Sequence, residues 1–105
     1  MGGRGASGKR SKAGGGSVGE RANREAVNRL ETIIANSASG VKYNIHENLW
    51  ERGEMSRTYY SITAQNQGST TIRTYDYGFV NNKTGEYRAG RHDLRKNYTL
   101  SGAKF

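Results

Sequence analysis

The apolar residues of this chain change their spacing at Gly40, and that switch limits the fold more than any single motif does. Before it, Ala26, Val27, Leu30, Ile33, Ile34 and Ala38 recur at steps of three and four, which lines them along one side of a helix. After it, Val41, Tyr43 and Ile45 alternate with polar residues and so share one face of a strand. A helix with one apolar stripe and a sheet with one apolar face have to cover each other, which predicts an α+β domain of two layers. Ser17 and Glu20 have the spacing of a capping box, and Gly40 follows Asn36, Ser37, Ala38 and Ser39, so the helix is expected over about 19–38. Glu20 and Arg24, Arg21 and Glu25, and Glu25 and Arg29 are opposite charges four apart, each pair contributing about 0.2–0.5 kcal/mol.

Beyond the helix, a small, mostly antiparallel sheet of about four strands is expected, over 41–46, 57–65, 69–80 and 86–89, with 97–101 as a candidate edge strand. The stretch from His46 to Met55 reads as a turn anchored by Leu49 and Trp50. Between Asn81 and Glu86, a type I turn closed by a left-handed Gly85 gives a hairpin. The register of the middle hairpin decides where the aromatic residues point. With Asn66-Gln67-Gly68 as the loop, Ile62 meets Ile72 on one face and Tyr59 meets Tyr75 on the other, a face that then shows Arg57, Tyr59, Arg73, Tyr75 and Tyr77. With Gln67-Gly68 alone the parity slips, and Tyr60, Ile62, Tyr75, Tyr77 and Phe79 gather beneath the helix. The first register is preferred, and Gly78 is a candidate for a bulge that reverses the phase partway along.

The leader is of another kind. Residues 1–18 hold Arg4, Lys9, Arg10 and Lys12, no acidic residue and many of the 15 glycines. Such a segment has little apolar surface to bury against a backbone entropy cost of about 1–2 kcal/mol per residue, so a disordered arm is expected, followed by a single domain over 19–105. The whole chain of 105 residues carries a formal net charge of +8, shared between leader and domain, and only 32% of it is hydrophobic, which allows one thin core. Without cysteine there is neither a disulfide frame nor a thiolate metal site, and a reducing cytoplasm is the expected compartment. No apolar run reaches the length of a membrane span, and Ala6 stands where a myristoylation signal at Gly2 wants Ser or Thr.

Arginine alternating with tyrosine on a strand is a surface suited to nucleic acid, with guanidinium groups on phosphates and phenol rings stacked on bases. The plainer account is that tyrosine favours half-buried strands and arginine keeps a sheet face soluble. The leader cations, with Arg88, Arg91, Arg95 and Lys96, could follow a phosphate backbone, and several such contacts on duplex DNA predict a salt slope of roughly −5. Gly8-Lys9 is followed by Arg10 rather than Ser or Thr, so the leader is no phosphate-cradling loop. His46 beside Glu47 and His92 beside Asp93 are the only histidine–carboxylate neighbours, and adjacent strand residues point to opposite faces. Neither an enzyme nor a metal, cofactor or small-molecule substrate is expected.

The start Met-Gly-Gly-Arg-Gly-Ala-Ser and its basic, Gly/Ser-rich continuation resemble the N-termini of small phage and prophage accessory proteins of Gram-positive bacteria. That resemblance implies one of three roles in a host cytoplasm. One is a basic protein that binds nucleic acid, for which the charge and strand pattern of the sequence, and not the resemblance, offers Arg4, Lys9, Arg10, Lys12, Arg57, Tyr59, Arg73, Tyr75, Tyr77, Arg88, Arg91, Arg95 and Lys96. The second is an inhibitor of a host nucleic-acid machine, of the anti-CRISPR type, that grips a nucleoprotein such as a Cas nuclease–guide RNA complex. The third is a small structural part of a virion.

Overall fold

The computed structural model describes residues 17–96. Arg4, Lys9, Arg10 and Lys12 of the leader, and the strand expected at 97–101, lie outside the described residues. Within them the α+β expectation holds: a helix, α1 (Val18–Ala35), packs on a four-stranded antiparallel sheet of β1 (Val41–Arg52), β2 (Met55–Asn66), β3 (Arg73–Asn81) and β4 (Tyr87–Arg88). The strands lie side by side in chain order.

Local chemistry sets the helix ends. Ser17 has extended backbone angles, and its hydroxyl accepts from the Glu20 amide at 3.0 Å, which satisfies one of the unpaired donors of the first turn. At the other end the Ser37 hydroxyl donates to the Ile33 carbonyl at 2.6 Å. This side-chain bond competes with a continuing helical ladder, and the helix stops at Ala35, three residues short of the expected end.

The stripe works as its spacing predicts. Ala26, Leu30 and Ile33 are buried against Tyr60, Ile62 and Ala64 of β2 and Tyr75, Tyr77 and Val80 of β3, while Val41, Tyr43 and Ile45 of β1 pack around them. A polar network joins the helix start to the sheet. The Asn23 amide donates to Asn82 Oδ1 at 2.8 Å, Thr58 donates to the same oxygen at 2.9 Å, and the Asn82 amide donates to Ser56 Oγ at 2.9 Å. The Tyr60 hydroxyl donates to Asn23 Oδ1 from the core side. Burial, and secondarily the nearby Glu47 carboxylate, pushes the Tyr60 phenol well above its ordinary range, so it stays a donor.

Two sequence expectations need correction here. The stretch from His46 to Met55 is a long hairpin rather than an anchored turn: β1 runs on to Arg52, a two-residue Gly53-Glu54 turn follows, and Arg52 faces Met55. Gly53 takes φ +61°, a left-handed conformation that costs a residue without a Cβ little. The preferred register of the next hairpin is also wrong. Ile62 faces Tyr75 instead of Ile72, and Tyr59 faces Phe79 instead of Tyr75. The loop takes in residues 67–72 and leaves Ile72 60% exposed, while Tyr75 and Tyr77 turn inward beneath α1. Burying two large rings against the helix outweighs exposing one isoleucine.

The phase reversal at Gly78 is present. The ladder shifts between Tyr60 and Ser61, because Tyr60 faces Gly78 whereas Ser61 faces Asp76. Gly78 has φ +89°, and a Cβ there would lie 1.9 Å from the Arg88 carbonyl oxygen, so only glycine fits this bulge. Its consequence is that Tyr77 and Val80 both point inward while Phe79 points out.

The last hairpin follows expectation in its turn and less in its length. Gly85 has φ +78°, and the Asn81 side chain accepts from the amides of Lys83 and Thr84. The strand expected over 86–89 shrinks to Tyr87–Arg88. Past it the chain is pinned by Tyr87, whose hydroxyl donates to the Tyr77 carbonyl at 2.6 Å and accepts from the Leu94 amide at 3.0 Å.

Candidate nucleic-acid interface

Among the described residues, nothing packs on the face of the sheet away from α1, here called the open face. Its central side chains, Trp50, Arg57, Tyr59, Ser61, Thr63 and Phe79, are all partly exposed, in alternation with the buried residues of the other face. Strand pairing arranges its functional groups in rows. Asn48, Tyr59, Phe79 and Arg88 stand side by side across all four strands. The next row toward the Gly53-Glu54 turn brings Trp50 beside Arg57.

Arg57 is the centre of this patch. Its guanidinium carbon lies 5.2 Å from the Trp50 ring centroid and 4.6 Å from that of Phe79, and Nη1 donates to the Tyr59 hydroxyl at 3.1 Å. Tyr59 and Phe79 pack at 5.2 Å between centroids with planes tilted by 46°. A cation over an aromatic face gains about 0.5–1 kcal/mol at such an exposed site, so these contacts hold the three rings and the guanidinium as one unit. Exposed Arg52 shares the outward parity of Trp50, and exposed Arg88 adjoins Phe79, with Glu86 at 3.3 Å from its Nε. The patch therefore offers planar π surfaces next to fork-shaped donors that suit phosphate oxygens.

The structure divides the residues expected on this surface. Arg57 and Tyr59 are together on the open face, and Arg88 joins them. Arg73, Tyr75 and Tyr77 are corrected to the helix side: Tyr77 is fully buried and Tyr75 is 4% exposed. Arg73 donates through Nη2 to Asn66 Oδ1 at 2.7 Å and lies against the Tyr75 phenol, whose pKa is raised by burial and partly pulled back by that arginine. Arg91, Arg95 and Lys96 are exposed on the segment after β4, where Arg95 lies over the Tyr87 ring at 5.6 Å, away from the patch. Trp50 and Phe79 are the members that sequence reasoning missed. Gly53 as the first residue of a two-residue turn was the signal available for Trp50, since glycine in that place marks a tight hairpin.

Little else in the described residues gathers chemistry. A groove of about 370 Å³ beside α1 is lined by Ala22, Ala26, Tyr87, Arg95 and the Glu25–Arg29 pair, whose charges already meet at 2.7 Å. Among the described residues no group of three or more His, Asp or Glu could hold a metal ion, and no helix is long and apolar enough to cross a membrane. Compared with family models, with curated proteins and with solved structures, the chain matches none.

Proposed function

We propose that this is a non-enzymatic nucleic-acid-binding protein that lays single-stranded segments across the open face of its sheet. The observation that carries the reading is the Arg57 unit, in which one guanidinium and the rings of Trp50, Tyr59 and Phe79 form a single outward surface flanked by Arg52 and Arg88. Rings of this kind stack on bases that are free of their own stack, which favours single strands over a duplex whose bases show only their edges. Leader cations Arg4, Lys9, Arg10 and Lys12 add phosphate contacts that do not depend on sequence.

Fluorescence anisotropy with single-stranded and duplex oligonucleotides over a salt series tests this. Tighter binding to single strands is expected, with affinity falling with salt by about 0.7 log units per log unit for each phosphate engaged. Arg57→Glu should weaken binding at every salt concentration. Binding that ignores Arg57→Glu and ignores strandedness would contradict the proposal. Weak binding to naked oligonucleotides combined with tight binding to a purified Cas nuclease–guide RNA complex would transfer the surface to the nucleoprotein role instead.

A further inference from the structure

The two edges of the sheet are not alike. On the β4 side, the His92 amide donates to the Asp76 carbonyl at 2.9 Å, and Tyr87 ties down the segment through Leu94, so that edge is covered. On the β1 side no strand other than β2 pairs with Val41–Arg52 among the described residues. This edge is long, regular and without proline or bulge, and Lys42 is its only lysine. Natural edges of this length are usually blunted by such devices, because their free amides and carbonyls are a template for another strand.

Hairpin geometry says which backbone groups of β1 point away from β2. A two-residue turn makes Arg52 and Met55 a hydrogen-bonded pair, and every second residue of β1 from there then bonds to β2. The Gly40 carbonyl, which accepts from Gln67 at 3.0 Å, keeps the same parity. Val41, Tyr43, Ile45, Glu47, Leu49 and Glu51 therefore turn their backbone N–H and C=O outward. Leu49 is also 64% exposed, a large apolar side chain standing at that edge.

We propose that β1 pairs antiparallel with β1 of a second copy of this chain about a two-fold axis at His46. A two-fold axis normal to the sheet keeps each residue on its own face, so the dyad falls on a residue and not between two. At Glu47 it would set Glu47 against Glu47 and Lys42 against Arg52, both repulsive. At Ile45 or Asn48 it shortens the paired stretch. At His46 it pairs Val41 through Glu51 and sets no Lys or Arg against another and no Glu against another. Tyr43 then faces Leu49 of the other copy and covers it, Ile45 faces Glu47, and Lys42 faces Trp50. All the outward amides and carbonyls named above meet their counterparts. The product is one continuous eight-stranded sheet, with both helices on one side and both Arg57 patches on the other. The pairing is independent of what those patches bind.

Cysteine chemistry tests the register, because the chain has no cysteine of its own. The side chain at position 46 lies on the exposed face, and residues opposed at a non-hydrogen-bonded position have Cα atoms about 4.5 Å apart, within disulfide reach. His46→Cys in the full chain, freed of nucleic acid, should oxidise to a covalent dimer, whereas Asn44→Cys and Asn48→Cys should crosslink only when mixed. Sedimentation of the unmodified chain should show a concentration-dependent dimer, and Leu49→Lys, which leaves the monomer fold intact by circular dichroism, should raise its dissociation constant at least tenfold. A monomer at all concentrations, or a dimer that Leu49→Lys leaves unchanged, overturns the proposal. So does crosslinking of Asn44→Cys or Asn48→Cys alone in preference to His46→Cys.

Discussion

Tyr59 and Tyr60 are neighbours in β2, yet Tyr60 is sealed beneath α1 with its hydroxyl on Asn23, while Tyr59 lies partly exposed against Phe79, its hydroxyl accepting from the Arg57 guanidinium. The same contrast runs along β3, where Tyr77 is buried and Phe79 faces out across the bulge at Gly78. Residue type thus says little about role in this sheet. One face spends its aromatic surface on cohesion, and the other keeps it in water, where cations rather than a second layer shield it. An outward ring adds less to stability than a buried one.

Truncation should separate the faces most sharply. Leu30→Ala removes a fully buried side chain from the centre of the helix stripe and is expected to cost about 2–5 kcal/mol in denaturant unfolding, whereas Tyr59→Ala on the open face should cost under about 1 kcal/mol. Equal costs would erase the distinction. Asn82→Ala comes next. It strips partners from Asn23, Thr58 and Ser56 at once and is expected to lose about 1–3 kcal/mol, because the part-buried donors of Asn23 and Thr58 and the acceptor of buried Ser56 each lose a partner on the helix side of the sheet.

A pH series sharpens the comparison at the covered edge. His92 packs against the rings of Tyr75 and Tyr77, and burial lowers its pKa below the ordinary 6.5, with Asp76 opposing the shift. The folded chain therefore keeps this imidazole neutral where the unfolded chain takes up a proton. Stability should fall as pH drops through the window just below about 6.5 and should be level in this respect above it. His92→Phe keeps a ring in place and should flatten that part of a plot of unfolding free energy against pH. The smallest effect belongs to Glu25→Ala. The exposed pair with Arg29 is an i,i+4 contact, so thermal melts should show a loss of only about 0.3–0.5 kcal/mol.

These contrasts also explain what could be read from the sequence. Features fixed by local chemistry were legible: the helix stripe, the Ser17 cap, the inward set of Val41, Tyr43 and Ile45, the turn at Gly85 and the bulge at Gly78. The β2–β3 register was legible only in part: the preferred Asn66-Gln67-Gly68 loop gave the wrong parity, the Gln67-Gly68 alternative gave the inward set of Tyr60, Ile62, Tyr75 and Tyr77, and neither gave the longer loop over 67–72. The far half of β1 was hidden for a different reason. Glu47, Asn48 and Leu49 are exposed on both faces, so no alternation marks them as strand, and Trp50 went with them. The candidate site was accordingly half legible. Arg57 and Tyr59 share the outward face of the sheet as their spacing suggested, and the two rings beside the guanidinium were not read there.

Trp50 is the only tryptophan in the chain and sits inside the Arg57 unit, so its emission reports on the proposed surface directly. Titration of the full chain with an unlabelled single-stranded oligonucleotide should quench that emission saturably, with the same midpoint that anisotropy gives for the labelled strand, and Tyr59→Ala and Phe79→Ala should each shift it to weaker binding by about 1–3 kcal/mol. Binding that saturates by anisotropy while Trp50 emission stays unchanged would contradict the account, because the strand would then be held elsewhere.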